Sequence, residues 1–220
     1  MDYLVYFFSK SSTKRARACL TSFILAKSDL TIMKCLAIQT SPNSDGLTAS
    51  LAQKVLDGFS AEGGDVELLH LNKMNIKPCQ ACERGWGDCR GGNCILVDDF
   101  QSIREKIGET DALVFVTPVY FGDLSESAKR FLDRLRRTEA FSGCDTCFGK
   151  RFIGVAAAGG SGNGAVRALY NLEYYFKRLG CEIVDLVPVT KFSKNHKYSM
   201  LEEAGKLLAK GASGVAARAH

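Results

Sequence analysis

Histidine is scarce in this chain: His70, His196 and His220 are the only three, too far apart in sequence for a catalytic or metal cluster. Long apolar runs are missing as well. The N-terminal run Leu4-Val5-Tyr6-Phe7-Phe8 is too short to cross a membrane, and its basic residues follow rather than precede it, the wrong order for an export signal. No Gly-Lys-Ser/Thr occurs, which excludes a P-loop. Repeats and low-complexity tracts are absent. Acidic residues are few in residues 1–32, where five cations stand against Asp2 and Asp29, so that this segment carries +3 of the net charge of +5. The rest of the chain holds too small and too scattered an excess for a nucleic-acid surface. These absences predict a protein of the cytoplasm whose partners include neither nucleic acid nor membrane.

Cysteine, in contrast, is abundant and odd in number, with nine residues. A secreted protein would pair them under an export signal; here they read as thiols in a reducing compartment, available as ligands. At 220 residues the chain suits one large domain. Residues 1–32 differ from the rest in being rich in Ser, Lys and Arg without an amphipathic period. They read as a transit peptide, or as sequence upstream of a native chain beginning at Met33, and no ordered structure is expected of them. Residues 33–220 form the predicted domain.

From Lys34 onward the pattern alternates. Strands are expected at 34–39, 65–71, 111–117, 151–158 and 182–189, and helices at 47–60, 98–108, 124–137, 164–178 and 199–210. Continuous apolar runs at 112–116 and 152–158 indicate strands covered on both faces, as in a parallel sheet. The expectation is an α/β doubly wound sheet, whose ligands sit beyond the carboxyl ends of the strands.

Three segments leave those ends with unusual chemistry. Ser41-Pro42-Asn43-Ser44-Asp45-Gly46-Leu47-Thr48 surrounds a helix N-terminus with hydroxyls and an amide, suited to a phosphate or to an ordinary helix cap. Thr117-Pro118-Val119-Tyr120-Phe121-Gly122 is expected as a turn after the third strand, with aromatic surface for a flat ring or for the core. Ala157-Ala158-Gly159-Gly160-Ser161-Gly162-Asn163-Gly164 implies close backbone approach to something flat or anionic.

With Lys77-Pro78-Cys79-Gln80-Ala81-Cys82, Val97-Asp98-Asp99-Phe100 and Leu132-Asp133-Arg134, these motifs resemble the NADPH-dependent FMN reductase and iron-sulfur flavoprotein branch of the flavodoxin-like superfamily. The resemblance covers nearly all of residues 33–190. It implies a three-layer flavodoxin-like fold with five parallel strands in the order 2-1-3-4-5. Ser41, Asn43 and Thr48, with backbone at Gly46 and Leu47, would hold the FMN phosphate. Pro118, Val119, Tyr120, Phe121 and Gly122 would border the isoalloxazine, and Gly159, Gly160 and Gly162 would close its other side. Relatives often carry arginine where this chain has Asn43. Electrons would come from NAD(P)H and pass to a flavin, quinone or other small acceptor; the alternative is an electron carrier working with a ferredoxin-like partner. The resemblance also implies a homodimer or homotetramer. The flavin carries the chemistry, so no catalytic side chain is assigned.

Cys79, Cys82, Cys89 and Cys94 lie on one glycine-rich loop, with Gly85, Gly87, Gly91 and Gly92. They can surround a 4Fe-4S cluster, hold zinc, or remain plain thiols. The family's compact cluster motif has a third cysteine where this chain has Gly85. Cys144 and Cys147 read as a surface dithiol, and Cys19, Cys35 and Cys181 as lone or core thiols. The basic stretch Lys129, Arg130, Arg134, Arg136 and Arg137 reads as a solvated helix face or a subunit contact, with a role at the NADPH phosphates as the alternative.

Overall fold

The computed structural model describes residues 32–82, 88–143 and 145–210. Expectations for residues 1–31, which include Cys19, and for Gly85, Gly87 and Cys144 lie outside them. The first strand, β1 (Lys34–Gln39), is apolar from Cys35 to Ile38, without alternation. Such a strand is stable only between two neighbours and under two layers of cover. It pairs in parallel with β2 (Asp65–His70) on one side and with β3 (Ala112–Tyr120) on the other. Beyond β3 follow β5 (Arg151–Ala158) and β6 (Glu182–Thr190), also parallel, giving the order β2-β1-β3-β5-β6. A two-residue β4 (Asp123–Leu124) pairs antiparallel with the end of β3. Leaving β4 aside, the observed order is the expected flavodoxin-like one.

Successive side chains along a strand point to opposite faces, so the sheet carries two cores. Leu36, Ile38, Leu113, Phe115 and Phe152 face α2 (Phe100–Gly108), α3 (Glu126–Ser142) and α4 (Ala165–Arg178). Cys35, Ala37, Val114, Val116, Ile153 and Val155 face α1 (Leu47–Ala61) and α5 (Lys194–Ala209). Cys35 and Cys181 are buried core thiols, as read from the sequence.

Five readings need correction, the first being the last helix, α5, which begins at Lys194 rather than at 199. β3 runs on through Thr117, Pro118, Val119 and Tyr120, because Val119 and Tyr120 pair with Leu124 and Asp123. The aromatic turn is therefore a hairpin tip of two residues. Phe121 and Gly122 both have positive φ, 49° and 81°, the requirement of a type I′ turn. α3 continues past residue 137 to Ser142. Thr138 and Glu139, polar residues that interrupt the apolar pattern, are buried, and Glu139 accepts from Arg104 Nε at 2.7 Å. Cys147 is fully buried rather than on the surface, and its carbonyl accepts from Cys181 Sγ at 3.3 Å. Arg134 is not solvated: its side chain is 1% exposed.

Candidate functional site

The chain passes from β1 to β2 on one side and returns to β3 on the other, so the sheet's order reverses between β1 and β3. A crevice opens outside the carboxyl ends at such a point. Here the first two segments are stitched together at their bases. The Thr40 N–H donates to the Val116 carbonyl at 3.0 Å, and Thr40 Oγ1 lies 3.0 Å from Ser125 Oγ. Asn72 Nδ2 and Ser127 Oγ both donate to the Thr40 carbonyl, at 2.7 and 2.8 Å. Ser125 also caps α3 by accepting from the Ala128 N–H.

Within the first loop, Gln39 holds the chain in a tight bend. Its Oε1 accepts from the Ser41 N–H, and its Nε2 donates to the Asn43 carbonyl at 3.0 Å. Asn43 N–H turns back to Ser41 Oγ at 3.2 Å. Gly46 is the N-cap of α1; no side chain caps that end, and no acid stands in its first turn. The Thr48 hydroxyl, on the first turn, is buried without a hydrogen-bond partner. A buried hydroxyl left unpaired costs about 1–3 kcal/mol. Together with the free N–H groups and positive dipole of an uncapped helix end, it matches a bound phosphate.

The hairpin tip and the glycine loop face each other across an open cavity of about 1020 Å3. Val119, Phe121 and Gly122 line one side and Gly159, Gly160 and Gly162 the other. Phe121 stands fully exposed in a left-handed conformation that costs a non-glycine residue about 1–2 kcal/mol. Pro118 and Tyr120 belong to the same strand end but do not line the cavity, and neither do Ser41, Asn43, Gly46, Leu47 and Thr48. The sequence reading missed Arg167 and Tyr170, which line it from the first turns of α4. The helix itself is legible to within one residue, but that its first turn meets the hairpin tip is a contact between residues far apart in sequence, which the helical pattern does not carry. Among the lining residues Arg167 is the single charge, so the cavity favours anionic or neutral rings.

The cysteines occupy a separate loop. Cys79, Cys82, Cys89 and Cys94 are each partly buried and unbridged. Burial holds the Cys89 thiol above its ordinary range, and the nearby Cys94, Cys79 and Cys82 add to this while Arg137 opposes it. Thiolates are soft donors of the kind that zinc or an iron-sulfur cluster takes. Among the described residues, however, no three His, Cys, Asp or Glu side chains are close enough to share a metal ion. No helix of the described residues is long and apolar enough to cross a membrane.

Residues 33–191 match the family described as NADPH-dependent FMN reductase. An iron-sulfur flavoprotein of Archaeoglobus fulgidus is 36% identical over 104 residues, 47% of this chain and 49% of the relative. A Bacillus subtilis protein bearing the name of an NAD(P)H-dependent FMN-containing oxidoreductase is 34% identical over 48% of this chain and 54% of its own. The chain thus spans about half the length of these curated relatives. In fold it is similar to an NAD(P)H:quinone oxidoreductase from Methanothermobacter marburgensis, with a TM-score of 0.63, 17% identity, and coverage of 81% of this chain and 96% of that one.

Proposed function

The chain belongs to the NADPH-dependent FMN reductase family, and from that premise we propose that it binds FMN and passes electrons from NAD(P)H to a small acceptor such as a flavin or quinone. The observation that carries this reading is the unpaired Thr48 hydroxyl, buried beside an uncapped helix end at the crevice of the sheet. Ser41, Asn43 and Thr48, with the backbone at Gly46 and Leu47, would take the phosphate. The strand end and hairpin at 118–122 would border one side of the ring, and Gly159, Gly160 and Gly162 would let backbone approach the other.

FMN, when bound, supplies hydride acceptance and release of one or two electrons. The chain's own task is to orient and to exclude. The backbone of the glycine loop presents dipoles without side-chain bulk, and the stiff hairpin sets the width of the cleft. The cavity of about 1020 Å3 is at the upper end of the usual range of about 300–1,000 Å3 for small-molecule clefts. That leaves room for a nicotinamide or an acceptor ring beside the flavin. Arg167 at the rim would meet the donor's negative charge. A homodimer or homotetramer fits the exposed Val166, Tyr170 and Tyr174, spaced along one face of α4 beside this cavity.

Thr48→Val tests the phosphate assignment. Losing one hydrogen bond to a charged group, worth about 1.5–3 kcal/mol, should weaken FMN binding roughly 10–100-fold by fluorescence titration. Riboflavin, without the phosphate, should bind both proteins alike. Equal FMN affinity in the variant overturns the assignment.

A second reading starts from the four unbridged cysteines of one loop, Cys79, Cys82, Cys89 and Cys94. The cysteine loop would hold a metal or a 4Fe-4S cluster that exchanges electrons with FMN and with a ferredoxin-like partner. Protein prepared without oxygen should then carry acid-labile sulfide and a broad absorbance beyond the flavin bands.

A further inference from the structure

His70 takes no part in the proposed flavin chemistry, yet it stands against the loop proposed for the phosphate. It ends β2 and lies in register with Gln39, the last residue of β1. Gln39 is fully buried, and its amide makes three contacts. Oε1 accepts from the Ser41 N–H, Nε2 donates to the Asn43 carbonyl at 3.0 Å, and Nε2 lies 3.2 Å from His70 Nδ1. The first two partners fix which way the amide points, because a backbone N–H only donates and a carbonyl only accepts. Both Nε2 protons are then committed, one to Asn43 and one to the ring. His70 Nδ1 is therefore the acceptor, and the imidazole is neutral with its proton on Nε2.

That tautomer has a consequence for the loop. Gln39 holds the backbone on either side of Pro42, and the Asn43 N–H closes the bend on Ser41 Oγ at 3.2 Å. A protonated His70 would turn an N–H toward the Nε2–H of Gln39, donor against donor. Only movement of the ring or of the amide relieves that contact, and the amide carries both ends of the bend with it. Burial keeps the ring's basicity below the ordinary imidazole range. Among the described residues Lys73 is the charged group that bears on the ring, and it acts in the same direction. The other side chains of the clamp, Gln39, Ser41 and Asn43, are uncharged.

We infer that His70 is a positioning residue for the phosphate loop: its neutral ring locks Gln39 across Ser41 and Asn43, and acidification loosens the grip on FMN. This rests on the assignment of the FMN phosphate to residues 41–48. The sign follows from linkage. The clamped loop needs the unprotonated ring, so a proton competes with FMN, and affinity falls as pH drops below the ring's value, itself under the ordinary value of about 6.5.

The test is titration of the full chain with FMN and with riboflavin, followed by flavin fluorescence between pH 8 and pH 5. The phosphate of FMN takes up a proton of its own near pH 6, alike for every variant, so the difference between proteins is what informs. His70→Asn keeps an acceptor at the Nδ1 position and does not titrate, and at pH 8 it should bind FMN as wild type does. Uptake of one proton changes affinity at most about tenfold per pH unit, and from pH 7 to pH 5 wild type should lose about 3–10-fold more affinity than His70→Asn. His70→Leu leaves the amide proton without an acceptor and should bind FMN roughly tenfold more weakly at pH 8. Riboflavin, having no phosphate, should bind all three proteins alike at each pH, which also shows that the variants fold. Parallel pH profiles for wild type and His70→Asn overturn the inference, as do equal losses in the asparagine and leucine variants at pH 8. A change in riboflavin affinity as large as that for FMN places the effect outside the phosphate loop and overturns it too. Should wild type hold riboflavin as tightly as FMN at pH 8, the phosphate assignment itself fails and takes the inference with it.

Discussion

Glycine serves two distinct purposes along the loop after β5. Gly164 has φ of +86°, and a Cβ there would lie 2.3 Å from the Gly122 backbone. The apoprotein itself therefore demands that glycine. Gly160 has neither constraint: nothing lies within 4 Å of a Cβ built on it, and its φ is outside the left-handed region. Its smallness is of use only to something that enters the cavity. Gly164→Ala should then lose stability, by about 1–2 kcal/mol for the left-handed residue alone. Gly160→Ala should melt within about a degree of wild type and bind FMN more weakly. Thermal unfolding and FMN titration of the two variants give the comparison. Undiminished FMN affinity in Gly160→Ala would remove that residue from the site.

The helices are placed by equally local features. α1 and α5 cross backbone to backbone on one face of the sheet. A Cβ on Gly58 would lie 1.9 Å from the Glu202 carbonyl oxygen, and one on Gly205 would lie 2.0 Å from that of Val55. The closeness is reciprocal, so an alanine at either position must push the pair apart. Overpacking of this kind costs about 1–3 kcal/mol. Gly58→Ala and Gly205→Ala should each lower Tm by several degrees, at roughly 2–4 °C per kcal/mol for a chain of this size. Calorimetry on the two single variants measures the cost. The double variant should fall short of the sum, because the first alanine already opens the gap that the second needs. On the opposite face α3 is joined to α2 and to the end of the cysteine loop by polar side chains instead. Arg104 and Arg134 there carry the buried partners Glu139 and Asp98.

At the scale of the whole molecule, a ligand held at the carboxyl rim touches segments that leave three different strands. Binding should therefore stabilise the folded chain as a unit. FMN at 100 times its dissociation constant contributes about 2.7 kcal/mol by mass action. This corresponds to a rise in Tm of roughly 5–11 °C, and dialysis should reverse it. Riboflavin at the same concentration should give a smaller rise, because the Thr48 end of the site would remain unfilled. A melting temperature indifferent to FMN would contradict the proposed site as a whole.

The strand and helix order, the parallel sheet and the segments at its rim could all be read from residue patterns, because runs such as Leu113–Val116 bury both faces of a strand wherever they occur. The loop proposed for the phosphate could be picked out because Gly46 and Thr48 belong to a helix start that lies beside them in the chain. The rest depended on contacts between residues far apart in sequence. Whether Arg134 faced solvent or Asp98 turns on a partner 36 residues away. The β3 extension turns on β4, too short to carry a pattern, and the facing of Arg167 on the distant hairpin tip at Gly122. Hydrophobic periodicity reports only which side of an element is covered. Which polar group is buried against which, and which loop ends are tied together, is decided when the layers pack and every buried charge must find its counterpart.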